Sequence, residues 1–247
     1  MGSAVSAYVA SIQQLISDLE SAEISALNTA ANLVANSIAN DGIVHVFGSG
    51  HSNLLAQEVF HRAGGLVPVN AMLDVNLTIF GSARATVVER LEGYAATVVA
   101  SYDIRPGEVV IIISNSGVNP VPIEIAQQAK QLGASTIAVM SAAAYADAPS
   151  RHSDGIRLAD VVDLVLDTHV PKGDAIQPVG PDGIVVGATS TILGAVLLNC
   201  LFVAAAELLA ERGEAIPAFV SQNVPGGDDH NKDLIERFRP RIPLMKP

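Results

Sequence analysis

The residues that could bind a charged ligand follow a short apolar run in the middle of the chain. Val109–Ile113 is a β-branched run, typical of a strand buried on both faces of a parallel sheet. The segment Ser114–Gly117 (Ser-Asn-Ser-Gly) follows, and Pro120 opens an amphipathic stretch, since proline is favoured in the first turn of a helix. Hydroxyl groups and free N–H groups at a helix N-terminus form a phosphate site. An ordinary strand-to-helix turn rich in small residues is the alternative.

Two further junctions present hydroxyl groups in the same way. Ile43–Phe47 is an apolar run that ends in the segment Gly48–Ser52 and precedes a helical pattern. Thr189–Thr191 begins the longest apolar helical pattern of the chain. Three strand- or loop-to-helix junctions that carry serine or threonine therefore predict one site for an anionic ligand.

With these three segments, the chain resembles the SIS (sugar isomerase) phosphosugar-binding family, from about Ala4 to Gly213. The resemblance implies that the ligand is a sugar phosphate. In the family a threonine often completes the second loop, at the position that Asn119 holds here, and an amide can still donate to a phosphate oxygen. The residues implied to bind the phosphate are Gly50, His51, Ser52, Ser114, Asn115, Ser116, Asn119, Ser190 and Thr191.

Aldose–ketose isomerisation needs a base that moves a proton between two adjacent carbons. A carboxylate whose pKa is raised by burial, or a histidine, meets that need. Glu92 is the first candidate because the segment Val88–Ala95 is similar to the glutamate-glycine-alanine segment of the N-acetylmuramate-6-phosphate etherases, where that glutamate is an acid/base. The alternative is that Glu92 lies on the solvated face of a surface helix.

Three more residues are candidates for the acid–base role. Glu58 lies almost two turns into the helix after the first loop, whereas phosphoheptose-isomerase-type relatives place their glutamate about one turn further on, where this chain has Arg62. His61 shares that helix, and His230 in the tail could reach the site of a partner subunit. Asn199 stands where some SIS isomerases carry an acidic residue, so their mechanism does not transfer directly.

The elements that position these residues alternate between short apolar runs and helical patterns. The predicted fold class is α/β, a three-layer αβα sandwich with a five-stranded parallel sheet (SIS, flavodoxin- or Rossmann-like). One domain over 1–247 is expected, with leading helices at about 3–40 and a tail at about 214–247. The predicted strands are Ile43–Phe47, Leu66–Asn70, Glu108–Ile113, Ser135–Met140 and Val161–Leu166. Beyond two leading helices, the predicted helices are Asn53–Ala63, Val87–Ser101, Val121–Leu132, Thr191–Glu211 and Lys232–Phe238, and Pro171–Gly183 is expected to be a loop.

Composition and charge exclude several classes of partner. The net charge of −11 and the absence of a basic patch argue against nucleic acid. A single cysteine, Cys200, and the lack of a signal peptide favour the cytoplasm. Ile184–Ala206 has no charged residue, but its glycine and polar residues indicate a buried core helix and not a membrane span. The family resemblance implies a homodimer or homotetramer, expected to form through the leading helices and the tail.

A metal site is one interpretation of Asp163, Asp167 and His169, which fall within one predicted strand and its exit. Strand alternation would put all three on one side, but no second histidine lies at metal spacing. A hydrogen-bonded strand end is therefore the preferred interpretation, and neither a metal nor a cofactor is expected.

Three functions compete on this sequence. The leading prediction is a sugar-phosphate aldose–ketose isomerase that uses a glutamate acid/base. An etherase or lyase of an amino-sugar phosphate is the alternative that depends on Glu92. A phosphosugar-binding or sensing protein without catalysis is the third.

Overall fold

The computed structural model describes residues 2–81 and 83–245. Its central sheet has five parallel strands in the order β2-β1-β3-β4-β5, which confirms the predicted α/β class. The strands are β1 Val44–Gly48, β2 Val69–Met72, β3 Val109–Ile113, β4 Ser135–Met140 and β5 Leu164–Asp167. Because all five run in the same direction, their carboxyl ends and the loops that follow them meet at one edge.

Helices cover both faces of the sheet. α1 (Gly2–Ala39), α2 (Ser52–Glu58) and α7 (Ser190–Glu211) pack on one face, where Val34, Val46 and Leu197 belong to the same buried cluster. On the other face lie α4 (Tyr94–Val99), α5 (Pro120–Gln131) and α6 (Leu158–Val161). The remaining helices are α3 (Ala83–Val88) and α8 (Gly227–Phe238), with 3-10 turns at Val75–Leu77, Ile79–Gly81 and Pro243–Met245.

The helices differ from the predicted ones at several places. α2 ends at Glu58 and not at Ala63, and α8 begins at Gly227 and not at Lys232. The two leading helices are one helix of 38 residues, and Ser21 does not cap a second one, since its hydroxyl donates to the carbonyl of Ser17 within the helix. The predicted helix Val87–Ser101 is two helices, α3 and α4. The break falls at Gly93, whose φ of 82° is left-handed, so Glu92 lies in a turn and not on a helix.

β2 and β5 begin three residues later than predicted, whereas β1 and β3 begin one residue later. The backbone around Leu66 and Val67 pairs with the tail, through the bridge from Leu66 to Ala218 and a hydrogen bond from Val67 N to Pro217 O, so β2 starts at Val69. α6 occupies the first residue of the predicted fifth strand. It begins where Asp160 accepts a hydrogen bond from Arg157 N, and β5 follows it.

The glycine- and proline-rich segment before α7 contains an antiparallel hairpin that the sequence did not predict. Its strands are β6 (Ala175–Val179) and β7 (Ile184–Ala188). The hydroxyl of Tyr8 in α1 donates to Ala188 O over 2.8 Å, which fixes the hairpin against the first helix.

Among the described helices, α7 is the one long and apolar enough to cross a membrane by length and composition. Core helices of folded proteins pass the same test. Leu193, Leu197 and Leu201 of α7 are fully buried against the sheet and α1, as a core helix requires.

Candidate functional site

A small cleft opens at the carboxyl edge of the sheet, between the N-termini of α2 and α7. The strand order reverses direction at β1 and β3, and ligands of open α/β sheets bind at such a switch point. Four of the predicted phosphate residues, Ser52, Asn115, Ser190 and Thr191, line this cleft. The other lining residues are Leu55, Ile113, Val139, Met140, Thr168 and Gly194.

The first loop, Gly48–Ser52, is held tightly at the start of α2. Gly48 leaves no room for a side chain, since a Cβ there would lie 2.4 Å from Ser52 O. Gly50 has a left-handed φ of 54° and donates from its N–H to Leu77 O over 2.7 Å. His51 is exposed, and Ser52 begins the helix at the cleft wall.

The second loop, Ser114–Asn119, presents unused donors. Ser114 is buried, and its Oγ accepts from Gly117 N over 3.3 Å, which closes the loop on itself. Within the described chain, the backbone N–H groups of Asn115, Ser116 and Asn119 donate no hydrogen bond. Successive free N–H groups in a turn before a helix form a concave site for an anion.

Arg151 supplies a positive charge to this loop. Its Nη1 donates to Oδ1 of Asn119 over 2.7 Å, and its backbone N–H donates to Val118 O over 2.9 Å. Nothing in the sequence indicated this pair, because 32 residues separate Asn119 from Arg151.

The N-terminus of α7 is already capped by a carboxylate. Asp174 accepts hydrogen bonds from Thr189 N at 2.8 Å, Ser190 N at 2.7 Å and Ser190 Oγ at 2.8 Å. Burial raises the pKa of Asp174, but the hydrogen bonds from Thr189 and Ser190 outweigh it, so the pKa lies below its usual value. The hydroxyl of Ser190 is therefore used as a donor, which the sequence did not predict.

Thr168, at the end of β5, has an unsatisfied hydroxyl. The residue is 4% exposed and lines the cleft, and among the described residues its Oγ1 has no hydrogen-bond partner. A buried polar atom left without a partner costs about 1–3 kcal/mol. A ligand hydroxyl in the cleft would remove that cost.

His169 follows Thr168 and pairs with a buried carboxylate of α1. Its Nε2 lies 3.0 Å from Oε1 of Glu23, which is 8% exposed. Nε2 therefore carries the proton and Nδ1 is the ring's acceptor. The φ of His169 is 52°, and its N–H donates to Asp167 Oδ1 over 2.8 Å. From the sequence, His169 was predicted only as a possible metal ligand.

Comparisons with known proteins identify the family of this fold and cleft. The model of the SIS domain matches residues 7–141, which include both loops and β1 to β4. The chain belongs to the SIS domain family. It is 43% identical to a UPF0309 protein of Geobacillus kaustophilus over 89% of this chain and 88% of that protein. It is 40% identical to a UPF0309 protein of Halalkalibacterium halodurans over 98% and 97% of the two chains.

Solved structures share the SIS fold at low identity. A phosphoheptose isomerase from Francisella tularensis matches with a TM-score of 0.55 and 21% identity, over 84% of this chain and all of that one (100%). A phosphoheptose isomerase from Neisseria gonorrhoeae matches with a TM-score of 0.52 and 18% identity, over 81% and 96% of the two chains. At sequence identities this low, the structural similarity establishes a shared fold and nothing further.

The four predicted acid–base residues lie outside the lining of this SIS cleft in a single subunit. Glu58 forms an ion pair with Arg62 at the far end of α2. His61 has a left-handed φ of 46° and packs edge-on against Phe219. His230 is exposed, and its Nε2 donates to Ala218 O over 3.0 Å.

Glu92, the fourth, binds the loop that carries Arg151. It is exposed, and its two carboxylate oxygens accept from Ser153 N at 2.6 Å and Ser153 Oγ at 2.8 Å. The hydrogen bonds from Ser153 lower the pKa of Glu92. The nearby Glu89 accepts from Ser49 Oγ over 2.7 Å, so the turn around Glu92 connects the first loop to the Arg151 loop.

The three residues of the metal alternative have separate partners. Oδ2 of Asp163 accepts from Thr136 N at 2.8 Å, at the start of β4. Asp167, at the other end of β5, accepts from Ala142 N and Ala143 N, and His169 pairs with Glu23. The described part of the chain holds no group of three or more His, Cys, Asp or Glu that could bind a metal ion.

Proposed function

We propose that this SIS protein binds a sugar phosphate in the cleft and catalyses its aldose–ketose isomerisation. The observation that carries the proposal is the set of free N–H donors of Asn115, Ser116 and Asn119. Asn115 lines the cleft together with Ser52, and Arg151 adds a positive charge at Asn119 in the same loop. Phosphate binding at such donors needs no metal or cofactor.

Calorimetry tests the binding step. We expect Ser52→Ala to weaken sugar-phosphate binding about ten- to a hundredfold, since a hydrogen bond to a charged group contributes about 1.5–3 kcal/mol. Ser101→Ala is the matched control, because the hydroxyl of Ser101 is exposed and donates to Thr97 O at the end of α4. Equal affinities for the two variants would contradict the proposal.

The proton transfer needs a group near the cleft, and we assign it to His169, which directly follows the lining residue Thr168. Nδ1 of His169 would take the proton from C2 of the open-chain aldose and return it to C1, while the hydroxyl proton moves from O2 to O1. Glu23 stabilises the imidazolium formed between the two steps. In D₂O, exchange of the proton held on His169 with solvent before its return would place deuterium at C1 of the product, which NMR detects.

The two other functions are outcomes of the same experiment. An etherase or lyase depends on Glu92 as the base, and the two hydrogen bonds from Ser153 favour its ionised form and hold it outside the cleft. A sugar phosphate that binds without turnover or deuterium incorporation would indicate a binding or sensing protein.

A homodimer or homotetramer in the cytoplasm is part of the proposal. α1 carries exposed apolar side chains at Val5, Val9 and Ile24, and β7 carries them at Ile184 and Val186. Exposed apolar side chains mark an interaction surface where they form one contiguous patch, as we propose for these. Analytical ultracentrifugation of wild type and Val9→Asp tests the association, and a monomeric wild type would contradict it.

A further inference from the structure

We propose that Glu92 is a positioning residue, which holds the Arg151 loop against the second loop so that the guanidinium group of Arg151 is in place for an anion. The Arg151 loop comprises residues 150–157. This inference rests on the proposed function. It gives Glu92 a role that acts through Ser153 and Arg151, in place of the acid–base role predicted from the sequence.

The short segment around Arg151 is fixed at both of its ends. The backbone N–H of Arg151 donates to Val118 O over 2.9 Å. Two residues later, Ser153 donates to Glu92 from its N–H over 2.6 Å and from its Oγ over 2.8 Å. Hydrogen bonds to an ionised carboxylate are stronger than those between neutral groups. Both oxygens of Glu92 therefore serve to hold this one position of the loop.

The turn between α3 and α4, which carries this carboxylate, is itself tied to the other two loops. Glu89 accepts from Ser49 Oγ of the first loop over 2.7 Å. The backbone oxygen of Glu89 accepts from Val121 N over 3.2 Å, in the first turn of the helix that follows the second loop. Gly93 N donates to both oxygens of Glu124 in that helix, over 2.8 and 2.9 Å. A group held at this turn is therefore held relative to both loops.

The residue between Arg151 and Ser153 anchors the loop on the same helix. The side chain of His152 is 7% exposed, and its Nε2 lies 3.8 Å from Oε1 of Glu124. Arg151 itself is exposed. A long exposed side chain loses rotamer freedom when it binds a ligand, and fixing it beforehand reduces that cost. Release of the loop from Glu92 should therefore weaken anion binding.

The sign of the effect separates positioning from simple electrostatics. A carboxylate near an anion site repels the anion, so by charge alone its removal would tighten binding. Glu92→Ala loses both hydrogen bonds to Ser153, and positioning predicts weaker binding. Glu92→Gln loses the charge, but its amide oxygen can accept from Ser153 N and its amide N–H can donate to Ser153 Oγ. It should therefore bind an anion as tightly as wild type or more tightly.

Isothermal titration calorimetry measures this difference. The probes are inorganic phosphate and a panel of pentose 5-phosphates and hexose 6-phosphates. We expect Glu92→Ala to weaken the binding of both kinds of probe about fivefold, less than removal of the guanidinium itself, because Arg151 is still present. Glu236→Ala, at an exposed position of α8, is the matched control and should bind as wild type does.

A double-mutant cycle shows whether Glu92 acts through Arg151. If it does, Glu92→Ala has nothing left to disturb once the guanidinium is gone. We therefore expect the double variant Glu92→Ala/Arg151→Ala to bind inorganic phosphate within about twofold of Arg151→Ala alone. Losses that add in the double variant would mean that Glu92 affects the ligand by another route, and the inference would be wrong.

Limited proteolysis tests the contact without any ligand. Trypsin cleaves after arginine, and cleavage after Arg151 requires this loop to open locally. We expect Glu92→Ala to be cut there faster than wild type, and Glu92→Gln to be cut at the wild-type rate. The absence of the fragment from Arg151→Ala identifies the site. Equal rates for wild type and Glu92→Ala would contradict the inference.

The outcomes separate this inference from the proposed function. If wild type binds neither inorganic phosphate nor any sugar phosphate, both fail. If it binds them and Glu92→Ala binds equally well, or Glu92→Gln loses as much affinity as Glu92→Ala, only the positioning role is wrong. A loss of about 10²–10⁴ in kcat of Glu92→Ala with unchanged KM would indicate a base and overturn the inference.

A second variant keeps the test decisive if a thermal melt shows that Glu92→Ala is unfolded. Ser153→Ala removes one of the two hydrogen bonds to Glu92 and keeps the one from the backbone N–H. We expect a smaller loss of phosphate affinity than for Glu92→Ala, about twofold, together with faster cleavage after Arg151. Wild-type affinity and wild-type cleavage in Ser153→Ala would count against the inference.

Discussion

Arg151 donates a hydrogen bond from Nη1 to Oδ1 of Asn119, the last residue of the second loop, over 2.7 Å. Asn119 occupies the position where a threonine is common in the resembling family. Here the amide orients a guanidinium, so the loop gains a positive charge that its own residues lack. If the second loop binds the phosphate group as proposed, this departure from the threonine pattern adds a positive charge to the site.

We expect Arg151→Ala to weaken both sugar phosphate and inorganic phosphate about tenfold, because a charge-assisted hydrogen bond is lost. The loss should shrink at high salt, where an exposed charge is screened. Arg239→Ala is the matched control, since Arg239 is exposed beyond the end of α8. Titrations at two salt concentrations measure the effect, and a salt-independent difference would argue against a role for the charge.

His169 is the second position to test. We expect His169→Gln to lower kcat by about 10²–10⁴, the usual contribution of a positioned base. The KM and the affinity for inorganic phosphate should change little, because His169 acts on the carbon skeleton. Glu23→Gln should cause a smaller loss of kcat, since the histidine remains. If Glu92→Gln abolishes turnover and His169→Gln does not, the base is Glu92 and the etherase analogy gains support.

The sequence predicts the strands and the two loops well, because both follow from local patterns. Runs such as Val109–Ile113 are apolar and β-branched, and the serines after them mark the helix starts. Local patterns do not show every backbone conformation, however. Glycine and proline around Asp174 indicate a loop, yet the segment pairs as a hairpin. The prediction of a single helix over Val87–Ser101 was wrong because Gly93 adopts a left-handed conformation, which breaks the helix.

The side-chain partners at the site could not be predicted from local patterns. Arg151 meets Asn119, and His169 meets Glu23 at a separation of 146 residues. Such contacts depend on how the loops and α1 pack on the finished sheet. The unsatisfied hydroxyl of Thr168 is likewise a property of packing and not of sequence.

Glu108 gives a prediction about stability and pH. It lies at the opposite edge of the sheet from the cleft, where Ile43 N, His45 and Arg241 bind its carboxylate. Burial raises the pKa of Glu108, but the hydrogen bonds from His45, Arg241, Arg105 and Ile43 outweigh it and lower the pKa to about 2 from 4.5.

Because the folded pKa lies below the unfolded one, this contribution to stability is present above pH 4.5 and is lost as pH falls through about 2. The difference between 4.5 and about 2 corresponds to about 3 kcal/mol in the free energy of unfolding. We expect Glu108→Gln to lose about that amount at pH 7 and to flatten the fall in stability below pH 4.5. Urea unfolding at several pH values measures both, and an unchanged pH profile would contradict the assignment.

The close approach of Gly48 to Ser52 gives the last prediction. A Cβ at residue 48 would lie 2.4 Å from Ser52 O and 2.9 Å from Asn53 N, so the backbone at the start of α2 must move. We expect Gly48→Ala to lower the free energy of unfolding by about 1–3 kcal/mol, as overpacking does. Sugar-phosphate binding should also weaken, because Ser52 is displaced from the cleft wall.

Gly194→Ala is the informative comparison. Its Cβ would lie 2.5 Å from Cδ1 of Leu55, the tip of a flexible side chain that can turn away, so its loss of stability should be smaller. Chemical denaturation and calorimetry on both variants give the answer, and a Gly48→Ala variant as stable and as tightly binding as wild type would show that the first loop does not depend on this contact.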